Sequence, residues 1–262
     1  MEQCAQEIAR DFNRQKQINS HQKYQIMTTT KVLHKEEHLR SSDFITDIVI
    51  GMSDGLTVPF ALAAGLSGAV QHNSIVITAG IAEIVAGSIA MGLGGYLAGK
   101  TEQEHYESEL KREYDEVEDI PEEEKKEVKV VFAHYGLNEL TQNTIADELA
   151  KDKDKWVDFM MKYELGLEKP NVNRARNSAA TIGISYIIGG LIPLTAYFFT
   201  QTPLQGLKIS ALLTVICLFL FGYFKSKVTG QPLLKGALKV TMIGITAAAA
   251  AFLVAKLFNN LF

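Results

Sequence analysis

Residues 75–119 read IVITAGIAEIVAGSIAMGLGGYLAGKTEQEHYESELKREYDEVED, and the change of character after Lys100 decides the fold. Residues 75–99 are apolar and long enough to cross a hydrocarbon core as a helix, which takes about 20 residues. Residues 101–119 carry a charge at almost every second position, yet no Gly or Pro interrupts them. The pattern predicts one helix that leaves the membrane and continues in water. The chain is therefore expected to be an all-α membrane protein with a water-soluble insertion.

Four more apolar runs qualify as spans: 44–70, 178–200, 207–224 and 237–258. The mean hydropathy of only +0.05 hides them, because polar segments dilute it. The expected organisation is a polar tail over 1–42, spans one and two over 43–100, an acidic helical domain over 101–170, and spans three to five over 171–262. The acidic domain holds 21 of the chain's 30 Asp and Glu against 10 Lys and Arg, a net of −11, and no acidic residue follows Glu168. So negative a soluble part excludes nucleic acid as a partner.

Loop charge predicts the orientation. The connections near 68–74 and 200–206 hold no Lys or Arg. The N-terminal flank (Lys31, Lys35, Arg40), the 101–177 region and the 225–239 connection (Lys225, Lys227, Lys235, Lys239) hold many. The N-terminus, acidic domain and fourth-to-fifth connection are thus expected in the cytosol. The tail has no apolar core of a cleavable signal. Cys4 and Cys217 lie far apart in the pattern and make no thiolate metal site.

Carboxylates inside apolar runs are costly and mark function. Asp47 and Asp54 are two helical turns apart on one face, with Gly51 between them leaving room. Pro59 is expected to kink or loosen this span and free backbone carbonyls. Glu83, Gly87 and Met91 share one face of the next span. Together these helices offer three carboxylates, a thioether and carbonyl oxygens to one groove. Oxygen ligands hold a divalent charge and a soft sulfur favours Fe²⁺ over Mg²⁺ or Ca²⁺. The alternatives are an interfacial Asp47 and a Met91 that only packs.

In the acidic domain, helices are expected at 101–119, from Pro121 to about 134, after a Thr141 cap, and at about 154–165 up to Gly166. Glu113 and Glu116 form one i, i+3 pair and Glu124 and Glu127 another; each pair can clamp an ion. Met160 and Met161 bring sulfur beside Glu164. The alternative is a merely solvated charged face. Trp156, Phe159 and Tyr163 read as core.

Three long motifs then point one way: GMSDGLTVPFALAAG over 51–65, AMGLGGYL over 90–97, and FMMKYELGLEKP over 159–170. The chain resembles vacuolar iron transporters of the plant and fungal type over about residues 40–258. The resemblance implies a homodimer of five-span subunits in the vacuolar membrane, with a cytosolic metal-binding domain between spans two and three. It implies movement of Fe²⁺, and often Mn²⁺, into the vacuole in exchange for protons. The family's soluble ligands fall on Glu113, Glu116, Glu124, Glu127 and Glu164, with Met160 and Met161 nearby. Its membrane path falls on Asp47, Asp54, Glu83 and Met91.

Other readings fit less well. A di-iron carboxylate oxidase needs two Glu-x-x-His units on inward-facing helices, and Glu102–His105 stands alone in the sequence. A metal-responsive protein without transport leaves Asp54 and Glu83 unexplained. No Gly-rich phosphate loop followed by Lys-Ser/Thr supports an ATP-driven pump. No prosthetic group is expected, and the sequence does not rank Fe²⁺, Mn²⁺, Co²⁺ and Zn²⁺ as cargo.

Overall fold

The computed structural model describes residues 43–259; the tail reading, including Cys4, lies outside them. Eight α-helices and one π-helical turn make up the described chain. They are α1 (Asp43–Ser67), α2 (Asn73–Asp119), α3 (Pro121–His134), α4 (Glu139–Leu149), α5 (Lys153–Phe159), the π turn (Met160–Glu164), α6 (Arg174–Phe198), α7 (Pro203–Val228) and α8 (Leu233–Asn259). Among the described residues there is no strand, and α1, α2, α6, α7 and α8 are long and apolar enough to cross a membrane.

The expected spans are present with shifted ends: the first closes at Ser67 rather than 70 and the third at Phe198 rather than 200. The third starts at Arg174 rather than 178, and the fourth covers 203–228 rather than 207–224. The reason is local. Thr202 caps α7 by accepting from the Gln205 N–H at 3.4 Å, and Pro203 occupies the first helical position, where its missing N–H costs nothing. Pro59 lies inside α1 without ending it. It cannot bond the Gly55 carbonyl one turn back.

The long helix predicted across Lys100 is real: α2 runs unbroken for 47 residues. At about 1.5 Å per residue it is some 70 Å long, more than twice the hydrocarbon thickness. Helix α6 packs along both α1 and α2, while α7 and α8 pack together, with α8 against α1. The α1–α6 contact is backbone to backbone. A Cβ on Gly51 would lie 2.3 Å from the Ile182 carbonyl oxygen, and one on Gly55 2.4 Å from that of Tyr186. The room that Gly51 leaves beside Asp47 is thus taken up by α6.

Beyond the spans, the outer half of α2, α3, α4, α5 and the π turn enclose a small core of Val117, Val128, Ala146, Trp156, Val157, Met160 and Met161. Phe132 and Phe159 stack beside it at 5.3 Å. Two details differ from expectation. The cap of α4 is Asn138, whose Oδ1 accepts from the Thr141 N–H at 2.9 Å, so Thr141 is the capped residue and not the cap. The expected helix over 154–165 is α only to Phe159. It then widens into the π turn, with the Leu165 N–H reaching the Met160 carbonyl at 3.1 Å. Gly166, at φ +66°, ends it.

Candidate metal sites

Two groups of carboxylates stand out. The first lies where α2 and α3 run side by side beyond the spans. Glu113, Glu116 and Glu124 each offer one oxygen, and these lie within 4.8 Å of one another. The i, i+3 spacing turns Glu113 and Glu116 toward α3, and the Asp119-Ile120-Pro121 reversal brings Glu124 back to meet them. Glu113 and Glu124 are each only 2% exposed, and one oxygen of each has no hydrogen-bond partner. Buried carboxylate oxygens left unpartnered are expensive unless a proton or a cation joins them.

The electrostatics say the same. Burial first, then the Glu127, Glu113 and Glu116 charges, push Glu124 up to about 7. Glu113 is raised by burial and by Glu116, with Arg112 opposing. Glu164 also reaches about 7, through desolvation of its carboxyl, the Glu127 and Glu113 charges, and a hydrogen bond with Glu127. The residue as a whole is exposed, yet its carboxyl lies against Glu127. A divalent cation entering here would neutralise the crowd that holds these protons.

Met160 and Met161 take another place. They are 0% and 1% exposed and belong to the apolar core of the helical cluster. The π turn lets both tuck inward while Glu164, on the same turn, stays with Glu127. Arg112 is a partner that sequence reading passed over. Its guanidinium lies 2.7 Å from Glu109, 3.6 Å from Glu113 and 3.4 Å from Glu116, a resident positive charge at the edge of the cluster.

The second group lies within the spans and splits in two. Asp47, 3% exposed, receives the Arg174 guanidinium at 2.7 and 3.4 Å and the Ser178 hydroxyl at 3.1 Å. Its expected free carboxylate is therefore already paired, because the first turns of α6 bring Arg174 and Ser178 against it. Glu83, deeper in α2, is hydrogen-bonded by the Tyr186 hydroxyl of α6 through one oxygen, and its other oxygen is buried with no partner. Asp54 is half-buried in α1. Gly87, one turn from Glu83, gives Tyr186 its space: a Cβ there would sit 2.4 Å from the hydroxyl oxygen. Met91 is half-buried. The structure thus pairs Glu83 with Tyr186 and sets Asp47 apart with Arg174.

The sequence pattern singles out neither Tyr186 nor Arg174, which counts there only among the basic residues of the 101–177 region. The i, i+4 spacing places Arg174 and Ser178 on one face of α6, but Tyr186 at i+12 is turned about 120° from Arg174, so no spacing signal links it to them.

The model of the VIT family matches residues 45–256, from just ahead of Asp47 to the end of the last span. The chain belongs to the VIT family. It is 48% identical to Vacuolar iron transporter 1 of Tulipa gesneriana, covering 85% of this chain and 90% of that protein. It is 49% identical to Vacuolar iron transporter 1 of Arabidopsis thaliana, over 87% of this chain and 91% of that one. It is 40% identical to Protein CCC1 of Saccharomyces cerevisiae, over 80% and 68%. The VIT match takes in both carboxylate groups and the helices that carry them.

Proposed function

We propose that this VIT-family protein is a transporter and not an enzyme, moving Fe²⁺, and Mn²⁺ as a second cargo, from the cytosol into the vacuole in exchange for protons. The names of its relatives, vacuolar iron transporters, support iron and the vacuole. The observation that carries the mechanism is Glu83, a carboxylate inside an apolar span with one oxygen buried and unpartnered. In hydrocarbon such an oxygen asks for a proton or a metal ion and takes them in alternation.

In this reading the soluble carboxylates Glu113, Glu116, Glu124, Glu127 and Glu164 collect the ion on the cytosolic side, with Met160 and Met161 shaping the apolar wall behind them. Asp47, Asp54, Glu83 and Met91 line the path. Tyr186 holds Glu83 ready for either occupant, and Arg174 holds Asp47 until the ion arrives. Asp54, Glu83 and Met91 are each only half-buried within one subunit. A homodimer with α1 and α2 facing the partner would cover them. Loop charge supports a cytosolic acidic domain.

The test is uptake by proteoliposomes loaded at acid pH, with Fe²⁺ and Mn²⁺ offered outside. Uptake should rise with the inward acidity, and each entering ion should alkalinise the lumen. Asp54→Ala and Glu83→Ala should abolish uptake with folding and oligomeric state retained. Uptake insensitive to the pH gradient, with no lumenal alkalinisation, would replace the antiporter with a passive channel.

A further inference from the structure

The turn between α7 and α8 is built by a chain that has no acidic residue beyond Glu168. It is closed by backbone hydrogen bonds: the Thr229 N–H bonds the Lys225 carbonyl at 3.0 Å, the Gln231 N–H bonds that of Ser226 at 2.8 Å, and Gly230 takes φ +67°. Beside it opens a cavity of about 360 Å³ whose lining includes Lys225, Ser226, Lys235 and Lys239. Among the described residues, none of these lysines is in a salt bridge or a side-chain hydrogen bond.

Lys225 has an ordinary explanation, since a cation suits the C-terminal end of α7. Lys235 does not. It sits in the first turn of α8, at the positive end of that helix's dipole, where an anion is favoured and a cation is not. The N–H groups of Leu233, Leu234 and Lys235 precede the first helical bond, from the Gly236 N–H to the Pro232 carbonyl at 3.0 Å. Pro232, ahead of them, has no side-chain acceptor to cap them. A preference for basic residues in loops explains how many lysines there are. It does not explain why three of them converge on one cavity at an uncapped helix start.

Ser226 is the independent sign of a ligand. It is 4% exposed and lines the cavity, and its hydroxyl makes no hydrogen bond among the described residues. A Cβ on Gly236, across the cavity wall, would lie 1.7 Å from that hydroxyl oxygen. Only glycine leaves the serine its place.

We propose that this cavity binds a phosphate group, supplied by the phosphorylated headgroup of a membrane lipid. Lysines, free helix-start N–H groups and a hydroxyl are the donors that phosphate oxygens take. Helix α7, at 26 residues, spans roughly 39 Å, so a turn at its end lies at headgroup level rather than in hydrocarbon. The inference concerns binding alone and holds whatever the transported ion.

The test uses the full-length protein in detergent, titrated with dioctanoyl phosphatidylinositol 4,5-bisphosphate, dioctanoyl phosphatidylcholine and inorganic pyrophosphate, with binding read by native mass spectrometry. The bisphosphate should bind at least about tenfold more tightly than phosphatidylcholine, and the difference should shrink with salt. It should be lost in K225Q/K235Q/K239Q and kept in K225R/K235R/K239R, which guards against misfolding. S226A should weaken it a few-fold. Equal binding of the two lipids, or full binding by the triple Gln variant, would overturn the site. Pyrophosphate binding as tightly as the lipid would overturn the lipid as its occupant.

Discussion

The Arg174 guanidinium grips the Asp47 carboxylate at 2.7 and 3.4 Å, across 127 residues of sequence. Asp47 is almost wholly buried, whereas the Arg174 side chain keeps 20% of its surface exposed. Removing the arginine strands a buried charge. Arg174→Gln should destabilise by about 3 kcal/mol, the lower end for breaking a buried pair, because the exposed arginine is partly screened. Adding Asp47→Asn should restore part of that loss. Thermal melts of the two single variants and the double variant check the coupling, and losses that simply add would deny it.

Tyr186 is the sole hydrogen-bond partner of the Glu83 carboxylate among the described residues. Tyr186→Phe keeps the ring and its packing but leaves both carboxylate oxygens bare inside a span. Initial uptake rates in proteoliposomes should fall by about tenfold, the equivalent of one hydrogen bond of roughly 1.4 kcal/mol. Gly87→Ala should do at least as much harm by pressing a methyl group on the hydroxyl. Wild-type rates in Tyr186→Phe would reduce the residue to packing.

Metal binding by the acidic cluster should follow pH. Glu124 and Glu164 hold protons up to about 7, so a divalent ion must displace them below that pH and meets open carboxylates above it. Anaerobic titration of the purified protein with Mn²⁺ should give an affinity at least about tenfold weaker at pH 6 than at pH 8. A Glu113/Glu116/Glu124→Gln variant should lose the binding. A pH-independent affinity would place the ion elsewhere.

Spans and cluster were legible in the sequence for different reasons. Apolar runs of about twenty residues are rare in soluble cores, which outweighs a soluble all-α reading, so α1, α2, α6, α7 and α8 were expected within a few residues. Their ends were not, because Thr202 with Pro203, and Arg174, extend helices past the apolar stretch. Glu113, Glu116 and Glu124 were legible because i, i+3 spacing and one Pro-led reversal are local facts. The pairs Asp47–Arg174 and Glu83–Tyr186 were hidden, since each joins residues more than a hundred positions apart. Tyr186 in an apolar run reads as lipid-facing or core, and Arg174 reads as a loop charge. The inward placement of Met160 and Met161 depends on the π turn, which no spacing rule announces.

The buried position of Glu124 makes a last prediction about stability itself. Its ordinary value of 4.5 is raised to about 7 in the fold, mainly by burial and then by the Glu127 and Glu113 charges. The folded protein therefore holds this proton more tightly than the unfolded chain does. That contribution is full below about pH 4.5 and is lost as pH rises through 7, opposite to the usual carboxylate. The difference amounts to about 3 kcal/mol at most, shared with the other carboxylates of the cluster. Metal-free protein should melt several degrees higher at pH 5.5 than at pH 8. Glu124→Gln, which keeps the shape and removes the charge, should melt higher than wild type at pH 8 and show a flatter pH profile. Mn²⁺ added at pH 8 should raise the wild-type melting temperature and leave the variant almost unchanged, because the ion replaces the proton that the variant no longer needs. If Glu124→Gln instead lowers the melting temperature at pH 8, the buried carboxylate is held by an interaction that the amide cannot supply, and charge crowding is not what strains the cluster.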